Sequence, residues 1–368
     1  MLAIGATIGI IGGGQLGRMM AFAAKEMGFT VAVLDPTSNC PAAQVADWHV
    51  VAPYDDVAAL QELAQKADVL TYEFENVDAD ALDAISDSSS LPQGTELLRV
   101  TQDRRAEKQF LTETGIPVAP YEVLAIGDDV GEAITKVGFP CVLKTARGGY
   151  DGKGQLVLRG EGDLSAAQEL ADRVDCVLES FVTFTSEMSV IVVADRKGNI
   201  RSFPAVRNEH RDNILHLSTI PAPVGQGTAR SADALAHTIA AKLGLVGALA
   251  IEMFCLPSGG VVVNELAPRP HNSGHVTIEA CDFSQFDMHV RAVTGWPLPM
   301  PHLLSSAIMV NLLGEHMGAV AELIEKHPQW HFHLYGKADS QVGRKMGHVT
   351  ILGDPTAARA EVDATKVW

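Results

Sequence analysis

Two glutamates lie inside apolar segments that have the composition of buried strands. Glu252 lies in the segment 250–254 (AIEMF), and Glu265 follows Asn264 in the segment 261–266 (VVVNEL). An unpaired carboxylate is costly to bury, and two carboxylates on neighbouring strands also repel each other. A divalent cation removes both costs, and hard oxygen ligands favour Mg²⁺, which uses one or two carboxylates together with substrate phosphates. The pattern predicts a magnesium site, unless strand alternation turns both side chains towards water.

A glycine-rich loop between two strands is the second candidate for chemistry. The strand 139–144 ends at Lys144, and the loop 147–154 (RGGYDGKG) carries Lys153 before the next strand at 155–158. A Walker A loop instead leads from a strand into a helix and has Ser or Thr after Gly-Lys. Glycines in a hairpin let backbone N–H groups fold over a phosphate chain, and flanking lysines supply positive charge for phosphoryl transfer. We interpret the loop as a phosphate site, and the alternative is a hairpin that is merely flexible.

Arg269 follows the second glutamate closely, in the segment 267–275 (APRPHNSGH). Its two proline neighbours stiffen the backbone, so its side chain would emerge at a fixed place beside the metal site. A guanidinium there is suited to hold a small anion by paired hydrogen bonds. A lone arginine is more often a surface residue, so this assignment depends on the neighbouring glutamates.

The N-terminal segment 12–17 (GGGQLG) fits the G-x-G-x-x-G pattern after an apolar strand, and Asp35 ends the next strand about 20 residues further on. Backbone N–H groups at the start of a helix hold an anion, either a dinucleotide pyrophosphate or a nucleotide monophosphate. Glu73 and Asn76 follow a later strand, where open α/β sheets bind ligands. The alternatives are glycines needed only for a tight turn, and a strand end exposed to water.

The composition restricts the classes of partner. The chain has 368 residues and a net charge of −17 without a basic stripe, which excludes polymeric nucleic acid but not a small phosphorylated substrate. Its five cysteines are scattered and form no CxxC pair, which argues against a disulfide framework or a zinc site. No apolar segment reaches the about 18 residues of a membrane span, so we expect a cytoplasmic protein without membrane contact.

The elements that must position these residues fall into three parts. Up to about residue 100, strands alternate with helices, which indicates a parallel, doubly wound sheet. Helices are predicted over 101–114 and 231–243, and a strand over 200–206. From about residue 120, strands cluster around short turns such as 196–199 (RKGN), which indicates antiparallel sheet, and a small strand-rich tail follows a linker at 295–299. The fold class is α/β and α+β multidomain, with predicted domains 1–100, 101–298 (including a lid subdomain at about 118–182) and 299–368.

The order of these features resembles the ATP-grasp superfamily over nearly the whole chain. Five segments narrow the resemblance to the 5-(carboxyamino)imidazole ribonucleotide synthase family: GGGQLGRM at 12–19, YEFENV at 72–77, GGYDGKGQ at 148–155, NELAPRPHNSGH at 264–275, and HLYGK with GRKMGH within 333–348. A related formyltransferase is similar in the NE-x-x-PRPH segment, and biotin carboxylase is a more distant relative, but we expect different glycine loops in both. The resemblance implies an ATP-grasp fold with a Rossmann-like N-terminal domain and a small C-terminal β-rich module.

The resemblance also implies a reaction. ATP phosphorylates bicarbonate to carboxyphosphate, and the exocyclic amine of 5-aminoimidazole ribonucleotide is then carboxylated, with release of ADP and phosphate. The implied partners are ATP, bicarbonate and 5-aminoimidazole ribonucleotide, the implied cofactor is Mg²⁺, and the implied assembly is a homodimer. Carboxyphosphate is labile, so the glycine hairpin is expected to close as a lid, and the phosphate released from carboxyphosphate is expected to be the base.

Site residues follow from the resemblance at the matching positions. The ATP-binding set comprises Arg104, Lys144, Gly149, Tyr150, Asp151, Gly152, Lys153, Gly154, Gln155, Glu179, Ser180, Phe181, Val182, Glu187, His210, Asn264 and Glu265. The set around bicarbonate, carboxyphosphate and the acceptor ring comprises Tyr150, Asp151, Arg269, His271 and Asn272. The nucleotide-substrate set comprises Gly14, Gln15, Leu16, Asp35, Glu73, Asn76, Lys337, Arg344 and Lys345. Glu252 and Glu265 would hold Mg²⁺.

Three of these assignments carry a more specific role. The segment 179–182 (ESFV) would meet adenine, and Glu187 would meet the ribose of ATP. Lys337, Arg344 and Lys345 would serve the phosphate of the substrate nucleotide, because the tail has few other basic residues. Without the resemblance, these three residues would be interpreted as a solvated basic loop.

Two other functions remain open from the sequence. The first glycine turn alone suits an NAD-dependent oxidoreductase, although this leaves the second glycine loop and the paired glutamates unexplained. The other is a non-catalytic nucleotide sensor with the same fold, and the full set of metal and anion residues argues against it.

Overall fold

The computed structural model describes residues 1–85, 90–149 and 153–368. Its N-terminal part alternates strands with helices, as the sequence predicts. The strands are β1 (Thr7–Ile11), β2 (Thr30–Leu34), β3 (Trp48–Val50) and β4 (Val69–Tyr72), and the helices are α1 (Gln15–Glu26), α2 (Val57–Lys66), α3 (Ala79–Asp83) and α4 (Glu96–Thr101). The strands form a parallel sheet in the order β3-β2-β1-β4, so the carboxyl ends of β1 and β4 lie side by side.

A small antiparallel sheet follows helix α5 (Arg104–Glu113). Its strands are β5 (Tyr121–Leu124), β6 (Cys141–Thr145), β7 (Gln155–Leu158) and β8 (Cys176–Ser180), and its helices are α6 (Val130–Val137) and α7 (Leu164–Ala171). The strand order is β5-β8-β6-β7, and β6 and β7 form the predicted hairpin. Apolar side chains of this sheet pack against α6 and α7. The strands β6 and β7, which flank the glycine loop, therefore belong to a sheet that is covered on one face by helices.

The largest sheet contains both glutamate strands. Its strands are β9 (Ser186–Ala194), β10 (Ile200–Ser202), β11 (Val206–Arg211), β12 (Ile214–Ile220), β13 (Gly247–Cys255), β14 (Val261–Ala267), β15 (Ala307–Leu313), β16 (His331–Leu334) and β17 (Lys345–Leu352). The helices of this region are α8 (Gln226–Lys242), α9 (Thr277–Ala280), α10 (Gln285–Thr294), α11 (Val320–Lys326) and α12 (Pro355–Thr365). The strand order is β14-β13-β9-β11-β12-β15-β17-β16, with β10 beside β9. Helix α10 shares an apolar cluster with α1 and another with this sheet, so it joins the N-terminal part to the glutamate strands.

Three elements differ from their predicted bounds. The helix predicted over 101–114 is divided into α4 and α5, because the side chain of Asp103 accepts a backbone hydrogen bond and caps α5 as a new helix. The strand predicted over 200–206 is interrupted at Pro204, which has no N–H to donate to a neighbouring strand. The helix predicted over 231–243 begins earlier, as α8.

The strand-rich tail joins the glutamate sheet. Strand β15 pairs with β12, and β17 pairs with β15, so within the described chain the tail strands extend the large sheet rather than forming a separate one. Leu217 of β12 packs in one apolar cluster with Val310 and Val349 of the tail. The domain boundaries at residues 100 and 298 stay predictions.

None of the helices within the described residues combines the length and the apolar character that a membrane crossing requires.

A chain that ends at residue 298 tests how far the tail supports the sheet. We expect it to be less soluble and less stable, because the loss of β15 and β17 exposes the edge of β12 and the apolar side chains packed there. Soluble yield and urea unfolding followed by circular dichroism measure the effect. Co-expression of residues 299–368 should restore part of it, whereas an unchanged unfolding midpoint in the shortened chain would contradict this packing.

Candidate active site

A cavity of about 760 Å³ lies where the N-terminal part, the small sheet and the large sheet meet. Its volume is within the about 300–1,000 Å³ that is usual for a small-molecule site. Most of the residues assigned from the sequence line it: Gln15, Leu16, Glu73, Asn76, Arg104, Lys144, Gly149, Lys153, Gly154, Gln155, Glu179, Ser180, Phe181, Val182, Glu187, His210, Glu252, Asn264, Glu265, Arg269, His271, Asn272 and Lys345.

The other seven assigned residues fall into two groups. Among the described residues, Gly14, Asp35, Lys337 and Arg344 do not line the cavity. Tyr150, Asp151 and Gly152 lie outside the described residues.

The two glutamates of the predicted magnesium site face each other across β13 and β14. The register of this ladder shifts by one residue next to Glu252, and Asn264 is the extra residue of a β-bulge. Successive side chains of a regular strand point to opposite faces, whereas a bulge re-aims one of them. Both Asn264 and Glu265 therefore line the cavity together with Glu252.

The charge of this carboxylate pair is only partly balanced. Burial raises the pKa of Glu252, and the neighbouring Glu265 raises it further. Nη1 of Arg104 donates to Glu265 at 3.2 Å, and Nε2 of His271 lies 3.2 Å from Glu252. Within the described residues, no group of three or more His, Cys, Asp or Glu forms a metal centre. Two carboxylates beside a phosphate site fit Mg²⁺, which takes its other ligands from phosphate and water.

Glu179 lies between two lysines, the fully buried Lys108 and the partly buried Lys144. Its carboxylate oxygens are 3.0 Å from Nζ of Lys108 and 3.0 Å from Nζ of Lys144. Burial alone would raise the pKa of Glu179, but the two ammonium groups lower it to about 2. Lys108 also donates to the carbonyl oxygen of Asn264 in the bulge, at 3.0 Å. Glu179 thus holds Lys144 beside the cavity and, through Lys108, is connected to the carboxylate strands.

The glycine hairpin follows β6, whose last two residues are Lys144 and Thr145. The backbone N–H of Thr145 donates to the carbonyl oxygen of Gly154 at 2.8 Å and closes the loop. Gly154 has a φ of +74°, and a Cβ there would lie 2.6 Å from the hydroxyl oxygen of Thr145. A glycine is therefore required at this closing position. Gly149 and Lys153 line the cavity on either side of the loop.

Arg269 is held by Glu75, a residue that the sequence analysis missed. Nε and Nη2 of Arg269 donate to the carboxylate of Glu75 at 2.5 and 3.1 Å, and Nη1 donates to the carbonyl oxygen of Pro270 at 3.3 Å. Burial alone would raise the pKa of Glu75, but Arg269 lowers it overall. A guanidinium has five N–H donors, so in the described structure two remain for a bound anion. Glu75 lies in the segment 72–77, and its position in that segment was a signal that could have identified it.

A buried glutamine holds the loop that follows Arg269. The backbone N–H of His271 donates to Oε1 of Gln285 at 2.8 Å, and Nε2 of Gln285 donates to the carbonyl oxygen of His271 at 2.7 Å. A Cβ on Gly274 would lie 2.3 Å from Oε1 of Gln285, so a side chain there would displace the glutamine. Burial and the charges of Arg269 and Lys345 hold the pKa of His271 well below its usual value, which keeps the imidazole neutral.

The part of the cavity assigned to the nucleoside of ATP combines an ion pair with aromatic rings. Nδ1 of His210 contacts the carboxylate of Glu187. Burial opposes a charged imidazole, but Glu187 raises the pKa of His210 overall. Phe184 and Phe254 stack with their ring centroids 4.6 Å apart, and both line the cavity. This apolar surface beside polar groups suits a base with an attached sugar.

The first glycine turn already binds a carboxylate of the chain. The backbone N–H groups of Gly14 and Gly17 donate to the two oxygens of Glu73, each at 2.5 Å. Asp35 accepts from the backbone N–H of Gly13 at 2.8 Å and so supports the turn. A dinucleotide-binding protein would offer these amides to a pyrophosphate. Because Glu73 occupies them, the arrangement disfavours NAD at this turn.

The basic residues of the tail lie beside this turn. Nε2 of Gln44 donates to the carbonyl oxygen of Gly336 at 2.8 Å and joins the tail loop to the N-terminal part. Nζ of Lys337 donates to the carbonyl oxygen of Lys345 at 2.7 Å. Burial and the charge of Arg344 lower the pKa of Lys337 to about 8. Three cations gathered in this way raise the local positive potential, which favours a phosphate despite the acidic chain.

Comparisons with known proteins agree with this geometry. Family models match residues 5–102 (ribonucleotide synthetase preATP-grasp domain), 109–286 (ATP-grasp domain) and 307–362 (phosphoribosylaminoimidazole carboxylase C-terminal domain). The N5-carboxyaminoimidazole ribonucleotide synthase of Bacillus subtilis (strain 168) is 48% identical over 351 residues, which are 95% of this chain and 92% of that protein.

Solved structures give the same result. The ADP complex of an N5-carboxyaminoimidazole ribonucleotide synthetase matches with a TM-score of 0.98 at 48% identity, over 100% of this chain and 98% of that one. The enzyme of Aspergillus clavatus in complex with ADP and 5-aminoimidazole ribonucleotide matches with a TM-score of 0.91 at 31% identity, over 99% and 98% of the two chains. The chain belongs to the N5-carboxyaminoimidazole ribonucleotide synthase family.

Membership of the N5-carboxyaminoimidazole ribonucleotide synthase family confirms the family that five sequence segments indicated. It also confirms the ATP-grasp fold class and the enzyme class, an ATP-dependent ligase. The roles of individual residues stay predictions within this family assignment.

Two further residues of this synthase-family site came only from the structure. Glu107 and Lys108 lie in α5 and are buried. Glu107 accepts from the backbone N–H of Leu266 at 3.0 Å, and burial raises its pKa to about 7. The stretch 101–114 is mostly polar, so its packing rather than its composition shows that Glu107 and Lys108 lie on the buried face.

Replacement of Lys108 by methionine tests the buried ion pairs. We expect the free energy of unfolding to fall by about 3 kcal/mol, because the change removes one of the two cations that balance a buried carboxylate. Urea unfolding measures the loss. Lys136→Met is the matched control, since its ion pair with Glu122 is exposed and should cost at most about 1 kcal/mol. Equal losses in the two variants would contradict the importance of the buried pairs.

Proposed function

We propose that this chain uses ATP and bicarbonate to carboxylate the exocyclic amine of 5-aminoimidazole ribonucleotide, giving 5-carboxyaminoimidazole ribonucleotide, ADP and phosphate. The observation that carries the proposal is that one cavity is lined by the phosphate hairpin, the carboxylate pair and the loop of Arg269. The same cavity reaches the first glycine turn, where Glu73 lines it. The Aspergillus clavatus relative, solved with ADP and 5-aminoimidazole ribonucleotide, supports the choice of acceptor.

In the first step, an oxygen of bicarbonate attacks the γ-phosphorus of ATP, the bond from that phosphorus to the bridging oxygen breaks, and ADP leaves. Lys144, Lys153 and the hairpin amides would hold the phosphates and stabilise the charge that develops on them. Glu252 and Glu265 would hold Mg²⁺, which neutralises phosphate charge when it is bound. Glu179 supports this step by fixing the ammonium group of Lys144.

In the second step, the amine nitrogen attacks the carbonyl carbon of carboxyphosphate, the carbon–oxygen bond to phosphate breaks, and the phosphate accepts the proton. The remaining N–H groups of Arg269 would hold the planar carboxylate, and Glu75 keeps the guanidinium oriented for it. The hairpin would exclude water from the labile intermediate by closing over the site.

The acceptor nucleotide would lie between the N-terminal part and the tail. Glu73 and Asn76 line this end of the cavity, and Lys345 lines it from the tail. Lys337 and Arg344 lie behind Lys345 and would add charge for the phosphate of the nucleotide. Gly14 would act indirectly, since its N–H holds Glu73.

We also propose a cytoplasmic homodimer, as the family resemblance implies. Light scattering after size-exclusion chromatography checks the assembly: a mass near twice the 39.2 kDa of the chain is expected, and a monomer would overturn it.

Coupled measurement of ADP release, with Mg²⁺-ATP and bicarbonate, tests the reaction. We expect strong stimulation by 5-aminoimidazole ribonucleotide. Glu265→Gln should lower kcat by roughly 100-fold or more, because it removes a carboxylate from the phosphate-transfer site. Lys337→Ala should raise KM for the nucleotide by roughly tenfold, since a charged hydrogen bond to phosphate is worth about 1.5–3 kcal/mol.

The control for Lys337→Ala is Lys326→Ala, which removes an exposed tail cation paired with Glu322. It should leave both parameters unchanged. ATP binding without stimulation by the nucleotide would keep the fold but require a different acceptor, and turnover that depends on a nicotinamide would refute the proposal.

The pH dependence of nucleotide use provides a separate test of Lys337. Its pKa in the free protein is about 8, so the amine of Lys337 is positively charged below this pH and loses its charge above it. We expect kcat/KM for the nucleotide to fall as the pH rises through about 8, because this ratio reports the free enzyme. Lys337→Arg should move the fall to higher pH, since a guanidinium stays charged. An identical profile in this variant would contradict the assignment.

A further inference from the structure

A chain of hydrogen bonds runs beneath the cavity from β11 to His271. Nδ1 of His271 lies 2.9 Å from Oγ of Ser273, which lies 2.7 Å from Oγ of Ser189. Nδ2 of Asn208 donates to Oγ of Ser189 at 3.0 Å, and Oδ1 of Asn208 accepts from Oγ of Ser218 at 3.0 Å. The three serines are fully buried, and Asn208 is 5% exposed. These groups must therefore satisfy one another rather than bulk water.

The two ring nitrogens of His271 have different surroundings. The backbone N–H of Ser273 donates to Nδ1 at 3.3 Å, and an N–H can only donate, so Nδ1 is an acceptor. On the other side of the ring, Nε2 lies 3.2 Å from a carboxylate oxygen of Glu252. An imidazole carries at least one proton in either of its charge states, and Nδ1 as an acceptor carries none. That proton belongs on Nε2, where it faces the carboxylate.

The direction of the serine chain agrees with this position of the proton. A hydroxyl can donate or accept, so the direction is decided by the groups at the two ends. The amide of Asn208 donates to Ser189, which leaves the hydroxyl hydrogen of Ser189 for Ser273. Ser273 in turn donates to Nδ1 of His271. In the opposite direction, a protonated Nδ1 would face a backbone N–H, and an unprotonated Nε2 would face a carboxylate.

We propose that Asn208, Ser189 and Ser273 are positioning residues that hold His271 in the tautomer with its proton on Nε2. His271 then presents an N–H group to the cavity and donates to Glu252 or to an anion bound beside it. It does not present a basic nitrogen to the amine of the acceptor. This last consequence rests on the proposed function, whereas the tautomer is a property of the protein itself.

Nitrogen NMR of histidine side chains reads the tautomer directly. The protein is labelled with ¹⁵N-histidine and measured at pH 7 without ligands. The chain has 13 histidines, so the signals of His271 are assigned by their absence in His271→Gln. We expect Nε2 at the chemical shift of a protonated nitrogen and Nδ1 at that of an unprotonated one. A protonated Nδ1, alone or together with Nε2, would overturn the proposal.

Asn208→Asp replaces the donating amide at one end of the serine chain by a group that only accepts, and it changes the shape of the side chain little. A carboxylate accepts but does not donate, so Ser189 must then donate to it and Ser273 must donate to Ser189. The hydroxyl of Ser273 is left as an acceptor at 2.9 Å from Nδ1, so the proton of His271 should shift towards Nδ1 against the longer backbone contact of 3.3 Å. Ser273→Ala is the second variant, in case a buried carboxylate prevents folding. It removes the hydroxyl donor at 2.9 Å and leaves only the longer backbone contact of 3.3 Å to Nδ1, so the tautomer with its proton on Nδ1 should gain population.

Thr277→Val is the matched control. Thr277 is also buried, and its hydroxyl donates to the carbonyl oxygen of Gly274 and accepts from the backbone N–H of Gln285. It lies outside the serine chain, so its loss should lower the melting temperature but leave the tautomer of His271 unchanged. An Nε2 proton that persists in both Asn208→Asp and Ser273→Ala would show that the serine chain does not control it.

The kinetic consequence separates this proposal from the proposed function. We expect Ser273→Ala to lower kcat by roughly 3- to 15-fold with KM for ATP within about twofold of the original, because one hydrogen bond is weakened without loss of the nucleotide site. If the carboxylation assay fails while the tautomer shifts as described, the proposed function is wrong and the positioning role stands. If carboxylation is found and the tautomer does not respond, the positioning role is wrong.

Discussion

Two carboxylates on adjacent strands that line the same cavity repel each other, and the arrangement of the site depends on how this repulsion is offset. Glu252 and Glu265 face each other because a bulge at Asn264 re-aims one strand. A regular ladder would have sent Asn264 and Glu265 to opposite faces. The bulge thus brings two carboxylates together and creates a concentration of negative charge that the rest of the fold must offset.

The cations around this site come from different parts of the chain, and each is paired with a carboxylate. Arg104 and Lys108 come from α5, Lys144 from the small sheet, and Arg269 from the loop after β14. Glu179 binds two of these cations at once, so the small sheet and α5 are joined by charge as well as by apolar packing. Removal of a partner from such a buried group costs more than the loss of a surface pair. The same ion pairs therefore balance the charges of the site and fix the relative positions of the elements.

The first glycine turn shows that a G-x-G-x-x-G pattern alone does not identify the ligand that its backbone amides bind. A dinucleotide-binding protein and this chain share the glycine spacing and the acid at the end of the second strand. They differ in the occupant of the helix N-terminus, which here is the side chain of Glu73 from β4's carboxyl end. An internal carboxylate satisfies the amides that an external pyrophosphate would otherwise attract. The same glycines that could bind a ligand instead orient an acid that lines the cavity.

The sequence by itself determined the class of fold, the family and most of the groups that line the cavity. Strand and helix periodicity, the glycine hairpin after Lys144 and the paired glutamates are local features, and local features can be interpreted along the chain. Tertiary structure alone decided which charges meet. The contacts of Lys108 with Glu179, of Glu75 with Arg269, and of the serines beneath His271 bring together residues that are up to 194 positions apart. Sequence periodicity does not predict such contacts. The environment of a buried charge and the tautomer of a histidine depend on residues that come close only when the sheets pack against each other.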